Sequence, residues 1–250
     1  MKSVFALGIV LFAFAVSFGQ NEQSPIVEKQ IDYKNWTYKD IQTGKDVDLR
    51  GFAKGKKLTM VVYFAPWCHN FQHDAPMLER LYEQYKGKGL NLIAVGEYDP
   101  VVSMQSTFQR FNLTFPAVYE SENRDKRQYT THYAYRQSTG DSRNWGSPWY
   151  IFLTPSVMEK KGDTLTKKTF VINGEMIETE GEAFIRKNLG LPALAPKVTP
   201  EPVTEKAEPA KTEPGKTDAG KTDTGKKIEA CNDVVKPIDP VISTSAPDPK

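Results

Sequence analysis

The stretch Leu58-Thr-Met-Val-Val-Tyr-Phe-Ala65 carries no charge, is rich in β-branched and aromatic residues, and runs straight into Pro66-Trp67-Cys68. Such a run suits a strand buried on both faces of a sheet. From His69 the pattern changes at once: Phe71, Leu78, Leu81 and Tyr82 recur at helical spacing with Asp74 and Pro76 between them. This predicts a helix to about Lys86, stopped by Gly87-Lys88-Gly89. Leu90-Asn-Leu-Ile-Ala-Val-Gly96 is then a second buried strand. Strand, helix, strand is the pattern of a parallel crossover unit, which commits the chain to an α/β sheet. It also delivers Cys68 to the first turn of a helix, where unpaired N–H groups and the helix dipole favour thiolate.

The other segments are read around this unit. Asn35–Asp40 and Lys45–Leu49 flank Thr43-Gly44 and predict a β-hairpin. Met104, Phe108 and Phe111 predict a second helix, with Leu113–Tyr119 returning to strand character. Ser121 to Gly146 is polar and reads as loop, placing His132 in a loop and Glu97, just past the second strand, on loop surface. Ser147-Pro148 then precedes the strand Trp149–Leu153. Lys168–Ile172, Asn173-Gly174 and Glu175–Ile177 predict a second hairpin, and Glu180–Asn188 a last helix.

Both ends differ in character. Residues 1–19, with Lys2, an apolar run from Val4 to Val16 and Ser17-Phe-Gly19, read as a secretory signal peptide with a mature start near Gln20. The run is short of the ~20 apolar residues of a membrane span. No cysteine follows the cleavage site, so no lipoprotein anchor is expected. Residues 195–250 are dominated by Pro, Lys, Thr, Asp and Glu and contain a repeat, Lys211-Thr-Glu-Pro-Gly, Lys216-Thr-Asp-Ala-Gly, Lys221-Thr-Asp-Thr-Gly. Too little apolar surface is present to offset the entropy of ordering, so a disordered tail is expected, free to contact an unidentified partner. Residues 20–34 are read as a lead-in and 35–194 as one domain. A net charge of only +2 gives no reason to expect nucleic acid. The two cysteines, Cys68 and Cys231, are too few for a disulfide scaffold.

Residues 35–190 resemble the exported TlpA/ResA branch of the thioredoxin superfamily, related to the AhpC/TSA and redoxin proteins. "VVYFAPWC" is similar to that branch's "VLNFWATWC", and "FQRFNLTFPAVYE" to its "YGLTFP" element. The hairpin with Asp40 and Gly44 resembles its entry segment, and Ser147-Pro148 fits its cis-proline. The resemblance implies a thioredoxin fold: a central mixed sheet flanked by helices, with an N-terminal β-hairpin. It implies thiol–disulfide chemistry at Cys68, an acid at Asp74, and Trp67, Ser147 and Pro148 as the surface that positions substrate. Phe71 stands where the family carries its second cysteine. The loop before Pro148 and the segment between Leu153 and Phe170 are longer than the family's, and Val62 lies where thioredoxins proper keep a carboxylate.

In a Cys-x-x-Cys site the second thiol releases the mixed disulfide. With Phe71 there, three readings stay open. In the first, Cys68 acts as a monothiol, tuned by His69 and Asp74, and another thiol resolves it. Cys231 is a candidate resolver, since a linker of about 35 residues has a reach of roughly 30 Å. In the second, the fold has become a non-catalytic binding module. The third is peroxide reduction, for which the related family has threonine three residues before its cysteine; here that residue is Ala65. Expected partners are protein or small-molecule thiols and disulfides and a membrane or exported electron donor. No cofactor is expected. Cys68, His69 and His73 would suit copper or zinc by donor type, but the pattern does not show three clear ligands with a second shell, and no metal is expected.

Overall fold

The structure, a computed structural model, describes residues 22–194. The expected signal peptide, the repeat-bearing tail and Cys231 lie outside the described residues. The elements in chain order are β1 (Gln23–Ser24), β2 (Val27–Lys34), β3 (Thr37–Asp40), β4 (Asp46–Asp48), α1 (Leu49–Ala53), β5 (Leu58–Phe64), α2 (His69–Tyr85), β6 (Leu90–Gly96), α3 (Val101–Arg110), β7 (Ala117–Tyr119), α4 (Thr131–Thr139), β8 (Trp149–Leu153), β9 (Thr164–Ile172), β10 (Glu175–Met176) and α5 (Glu178–Leu189). Among them no helix is long and apolar enough to cross a membrane.

Eight strands form one mixed sheet in the order β2-β9-β8-β5-β6-β7-β3-β4. β5, β6 and β7 are parallel, and β8 and β9 return antiparallel. Two right-handed crossovers in the same direction across a sheet put their helices on the same face. Accordingly α2 and α3 share one face with α5, and their Leu78, Leu81, Met104, Phe108 and Ile185 pack against Met60, Val62 and Phe64 of β5. The alternate residues Val61 and Tyr63 point to the other face, where Leu49 of α1, Tyr135 of α4 and Tyr33 of β2 close a second core. This is the thioredoxin fold the resemblance implies, with β5 buried throughout at its centre.

Several expectations change. β2, within the stretch read as lead-in, is an eight-residue strand paired antiparallel with β9. The hairpin expected around Asn173-Gly174 does not form: β10 pairs in parallel with β1, as a separate two-stranded ribbon. Gly174, at φ +157°, permits this, because a Cβ there would lie 2.2 Å from the Glu22 carbonyl oxygen. The polar stretch from Ser121 to Gly146 is not all loop but holds α4, capped by the Thr130 hydroxyl.

Candidate active site

Cys68 is the N-cap residue of α2, at the end of β5, and is 1% exposed. Its side chain makes no capping bond to the helix. The sulfur turns instead toward the loop before β8, and Sγ donates to the Ser147 carbonyl at 3.1 Å. Ser147 is tied to the same strand end from the other side, its Oγ accepting from the Ala65 N–H at 2.9 Å. The Ser147–Pro148 peptide bond is cis. Cys68 and Ser147, 79 residues apart in sequence, therefore meet beside the cis bond to Pro148.

Trp67 is half-buried, its ring meeting Trp145 edge-on at 5.0 Å. Arg124 lies over Trp67 and Arg127 over Trp145, each at 4.7 Å from the ring centroid. His69 is exposed on the first turn of α2. Phe71 is fully buried and stacks on Phe64 at 4.5 Å, so it is core rather than active-site surface.

Asp74 lies inside the protein, on the face of α2 turned to β8 and β10. One oxygen, Oδ2, accepts from the Tyr150 hydroxyl and from the Met176 N–H at 2.9 Å. Burial pushes its carboxyl up to about 6, against these two hydrogen bonds. Its other oxygen is 3.6 Å from His73 Nδ1, which is also 3.4 Å from Glu175 Oε2. The three donor atoms come within 4.8 Å of one another, close enough for one divalent cation.

The residue that sequence reasoning missed is Arg143. Its Nη2 donates to the Pro148 carbonyl at 2.8 Å and its Nη1 to the Ser147 carbonyl at 3.3 Å. Asp141 accepts from its Nε and Nη2 at 3.0 and 2.7 Å. Burial alone would lower this guanidinium; Asp141, and after it Glu22 and Cys68, hold it above its ordinary value. A charged pair, Asp141 and Arg143, a few residues before Ser147-Pro148 was the available signal. Behind it Arg136, fully buried on α4, shares Asp141 at 3.6 Å and donates to the Arg143 carbonyl at 2.9 Å.

Glu97 and His132 also depart from expectation, since both are fully buried rather than on loop surface. Burial and the neighbouring Glu120 hold Glu97 well above the usual carboxylate range, and burial with Arg136 keeps His132 well below the usual imidazole range. Each is therefore held in its neutral form. His132 Nδ1 meets the Tyr98 hydroxyl at 2.8 Å, and its ring stacks on Tyr63 at 5.0 Å.

Several solved structures resemble the chain at low identity. A secreted Mycobacterium tuberculosis disulfide oxidoreductase homologous to E. coli DsbE is 15% identical, with 61% of this chain and 95% of that one covered and a TM-score of 0.43. A secreted thiol-disulfide isomerase from Corynebacterium glutamicum is 12% identical, covering 65% and 92%, with a TM-score of 0.47. Among curated relatives, the thiol-disulfide oxidoreductase ResA of Halalkalibacterium halodurans is 30% identical over 87 residues, 34% of this chain and 47% of the relative. ResA of Bacillus cereus is 25% identical over 113 residues, 45% of this chain and 62% of the relative. The chain thus spans less than two-thirds of the length of these curated relatives. The sequence profile of the AhpC/TSA family matches residues 30–177, more than half of the chain, from β2 through the Cys68 strand and the Pro148 loop to β10. The chain belongs to the AhpC/TSA family.

Proposed function

We propose that this is an exported thioredoxin-fold protein that carries out thiol–disulfide exchange through Cys68 alone. The observation that carries the reading is the contact between Cys68 Sγ and the Ser147 carbonyl, at the N-terminus of α2. In the proposed step the Cys68 thiolate attacks a substrate disulfide. A new S–S bond forms to Cys68, the old one breaks, and the displaced sulfur leaves as thiolate. A second thiolate, from an external thiol or from Cys231, then attacks the mixed disulfide and returns Cys68 as thiolate. Phe71 provides no thiol for that second step.

The α2 dipole and the Arg143 guanidinium favour the thiolate. His69 and Asp74 take part in its protonation, Asp74 because a carboxyl near 6 exchanges protons close to neutral pH. Trp67, Ser147 and Pro148 position the substrate chain. Export is supported by the signal-like residues 1–19, and the thiol-disulfide oxidoreductase names of the relatives support a thiol or disulfide as substrate; an exported or membrane reductant is the donor such a site would use.

The test is insulin-disulfide reduction and trapping of a mixed disulfide, wild type against Cys68→Ser. Loss of both in the variant is expected; equal rates would sink the proposal. The burial of Cys68 to 1% favours a second reading, a non-catalytic binding module. That reading expects neither activity in the wild type. Peroxide consumption in the same preparations distinguishes the third reading, for which Ala65 stands in place of threonine.

A further inference from the structure

With Cys68 buried, a polypeptide disulfide reaches its sulfur only after something moves, and the first described residues lie against this site. The Glu22 carboxylate accepts a hydrogen bond from Asn70 Nδ2, and its Oε2 is 3.6 Å from Arg143 Nη1. Asn70 is two residues past Cys68 in the first turn of α2. Arg143 holds the Ser147 carbonyl to which the Cys68 sulfur bonds. One carboxylate therefore bridges the two walls around the thiol.

The backbone behind it is seated as well. The Glu175 N–H donates to the Glu22 carbonyl at 3.1 Å, Ser24 Oγ donates to the Asn173 carbonyl at 2.9 Å, and β1 pairs with β10. The bare Cα of Gly174 makes room for this seat. Between residues 22–24 and the loop Gly140–Arg143 lies a cavity of about 350 Å³ lined by Asp141, Ser142, Arg143 and Asn173. An amide and a guanidinium facing each other form a carboxylate clamp, and Arg in particular matches that geometry.

We propose that residues 22–24 are a tethered occupant of the groove beside Cys68, and that the Asn70–Arg143 clamp accepts in their place a carboxylate of an acidic polypeptide carrying the target disulfide. The strap is an attribute of the fold; the substrate half rests on the thiol-exchange reading of Cys68. An intramolecular carboxylate keeps the clamp satisfied when no substrate is present. A competitor must bring its own carboxylate, because without Glu22 the remaining carboxylate on Arg143 among the described residues is Asp141, already shared with Arg136.

The test uses the full chain with Cys231→Ser, which leaves Cys68 as its one thiol. Alkylation by iodoacetamide forms a C–S bond with loss of iodide and needs no redox partner, so it reads access alone. Glu22→Ala is expected to raise the alkylation rate up to about fivefold, a factor that corresponds to loss of one modest charge pair. Gly174→Ala, which unseats the backbone while keeping the carboxylate, is expected to raise it as well. Equal rates in all three proteins would overturn the strap.

Two peptides with a 2-thiopyridyl-activated cysteine, one flanked by Glu and one by Lys, test the substrate half. The Cys68 thiolate forms the mixed disulfide and pyridine-2-thione leaves. The Glu peptide is expected to react several-fold faster, with the difference lost in Arg143→Gln. Equal rates for the two peptides would overturn the acidic preference. No adduct with either peptide, while Glu22→Ala still accelerates alkylation, would overturn the exchange reading and the substrate half together and leave the strap standing.

Discussion

Asp74 sits in a protein-facing position with both its donors on one oxygen, and that arrangement has a cost in stability that depends on pH. Its carboxyl moves from 3.8 to about 6 on folding, chiefly because burial disfavours the charged form. Between those values the native state holds a proton that the unfolded chain has released. Stability from this group is therefore fully present below pH ~4, falls as pH rises toward 6, and stays at the lower level above it, by about 3 kcal/mol in all. Asp74→Asn keeps an acceptor for Tyr150 and Met176 but carries no titrating proton. Urea denaturation of both proteins from pH 4 to 8 is expected to show the variant gaining on the wild type by up to that amount; parallel curves would exclude the shift. Phe71 poses the opposite case, a residue whose family position is chemical and whose role here is packing. Because it is fully buried against Phe64, Phe71→Cys restores the Cys-x-x-Cys pattern while emptying core volume. A loss of about 3 kcal/mol in urea denaturation is expected, and an equally stable variant would contradict the packing assigned to this ring.

Among the elements, α4 and the loop after it do the most to shape the site, because they carry Arg136, Asp141 and Arg143 behind Ser147-Pro148. Asp141 is the hinge of that group: it is 1% exposed and faces both guanidinium groups. Removing one partner of a buried charge group leaves the others uncompensated. Asp141→Ala is thus expected to cost about 3–5 kcal/mol and to lower hydrogen-exchange protection across α4, whereas Arg143→Gln, at a side chain 22% exposed, should cost less. If Asp141→Ala leaves α4 fully protected, the group is not what anchors it. The same helix shows why part of the site was hidden in the sequence. Its buried residues, His132, Tyr135, Arg136 and Thr139, do recur at helical spacing, but mostly in polar types that an apolar template passes over. β5, α2 and β6 were legible because apolar runs and an apolar stripe marked them directly. The Asn173-Gly174 turn misled for a different reason, since its glycine serves the approach of Glu22 rather than a hairpin. Local sequence carries turn propensity but says nothing of a segment 150 residues away.

At the scale of the whole molecule, the question is whether the tail bearing Cys231 and the buried thiol can meet. α5 ends at the far end of the sheet: Lys57, just before β5, donates to the Leu189 carbonyl at 3.0 Å, while Cys68 follows the other end of β5. Seven residues of strand separate these ends by about 23 Å. From Leu194 to Cys231 is 37 residues, and read as a coil they have an r.m.s. reach of about 33 Å. The span and the reach match, which is the condition for a high effective concentration. Under dilute glutathione disulfide, one thiolate takes a glutathionyl group and releases glutathione; the other cysteine's thiolate then displaces the second glutathione, closing a Cys68–Cys231 bond. A monomeric, concentration-independent Cys68–Cys231 disulfide is therefore expected by non-reducing mass spectrometry. Deleting residues 197–228 leaves 5 residues of spacer, which span at most about 18 Å when fully extended, short of the roughly 23 Å needed, so intramolecular closure should give way to persistent glutathionylation or dimers. Glu22→Ala should hasten closure in the full-length chain, because the strap guards the thiol against its own tail as it does against a substrate. Both cysteines found separately capped in the full-length protein would remove Cys231 as resolver and leave Cys68 dependent on an external thiol.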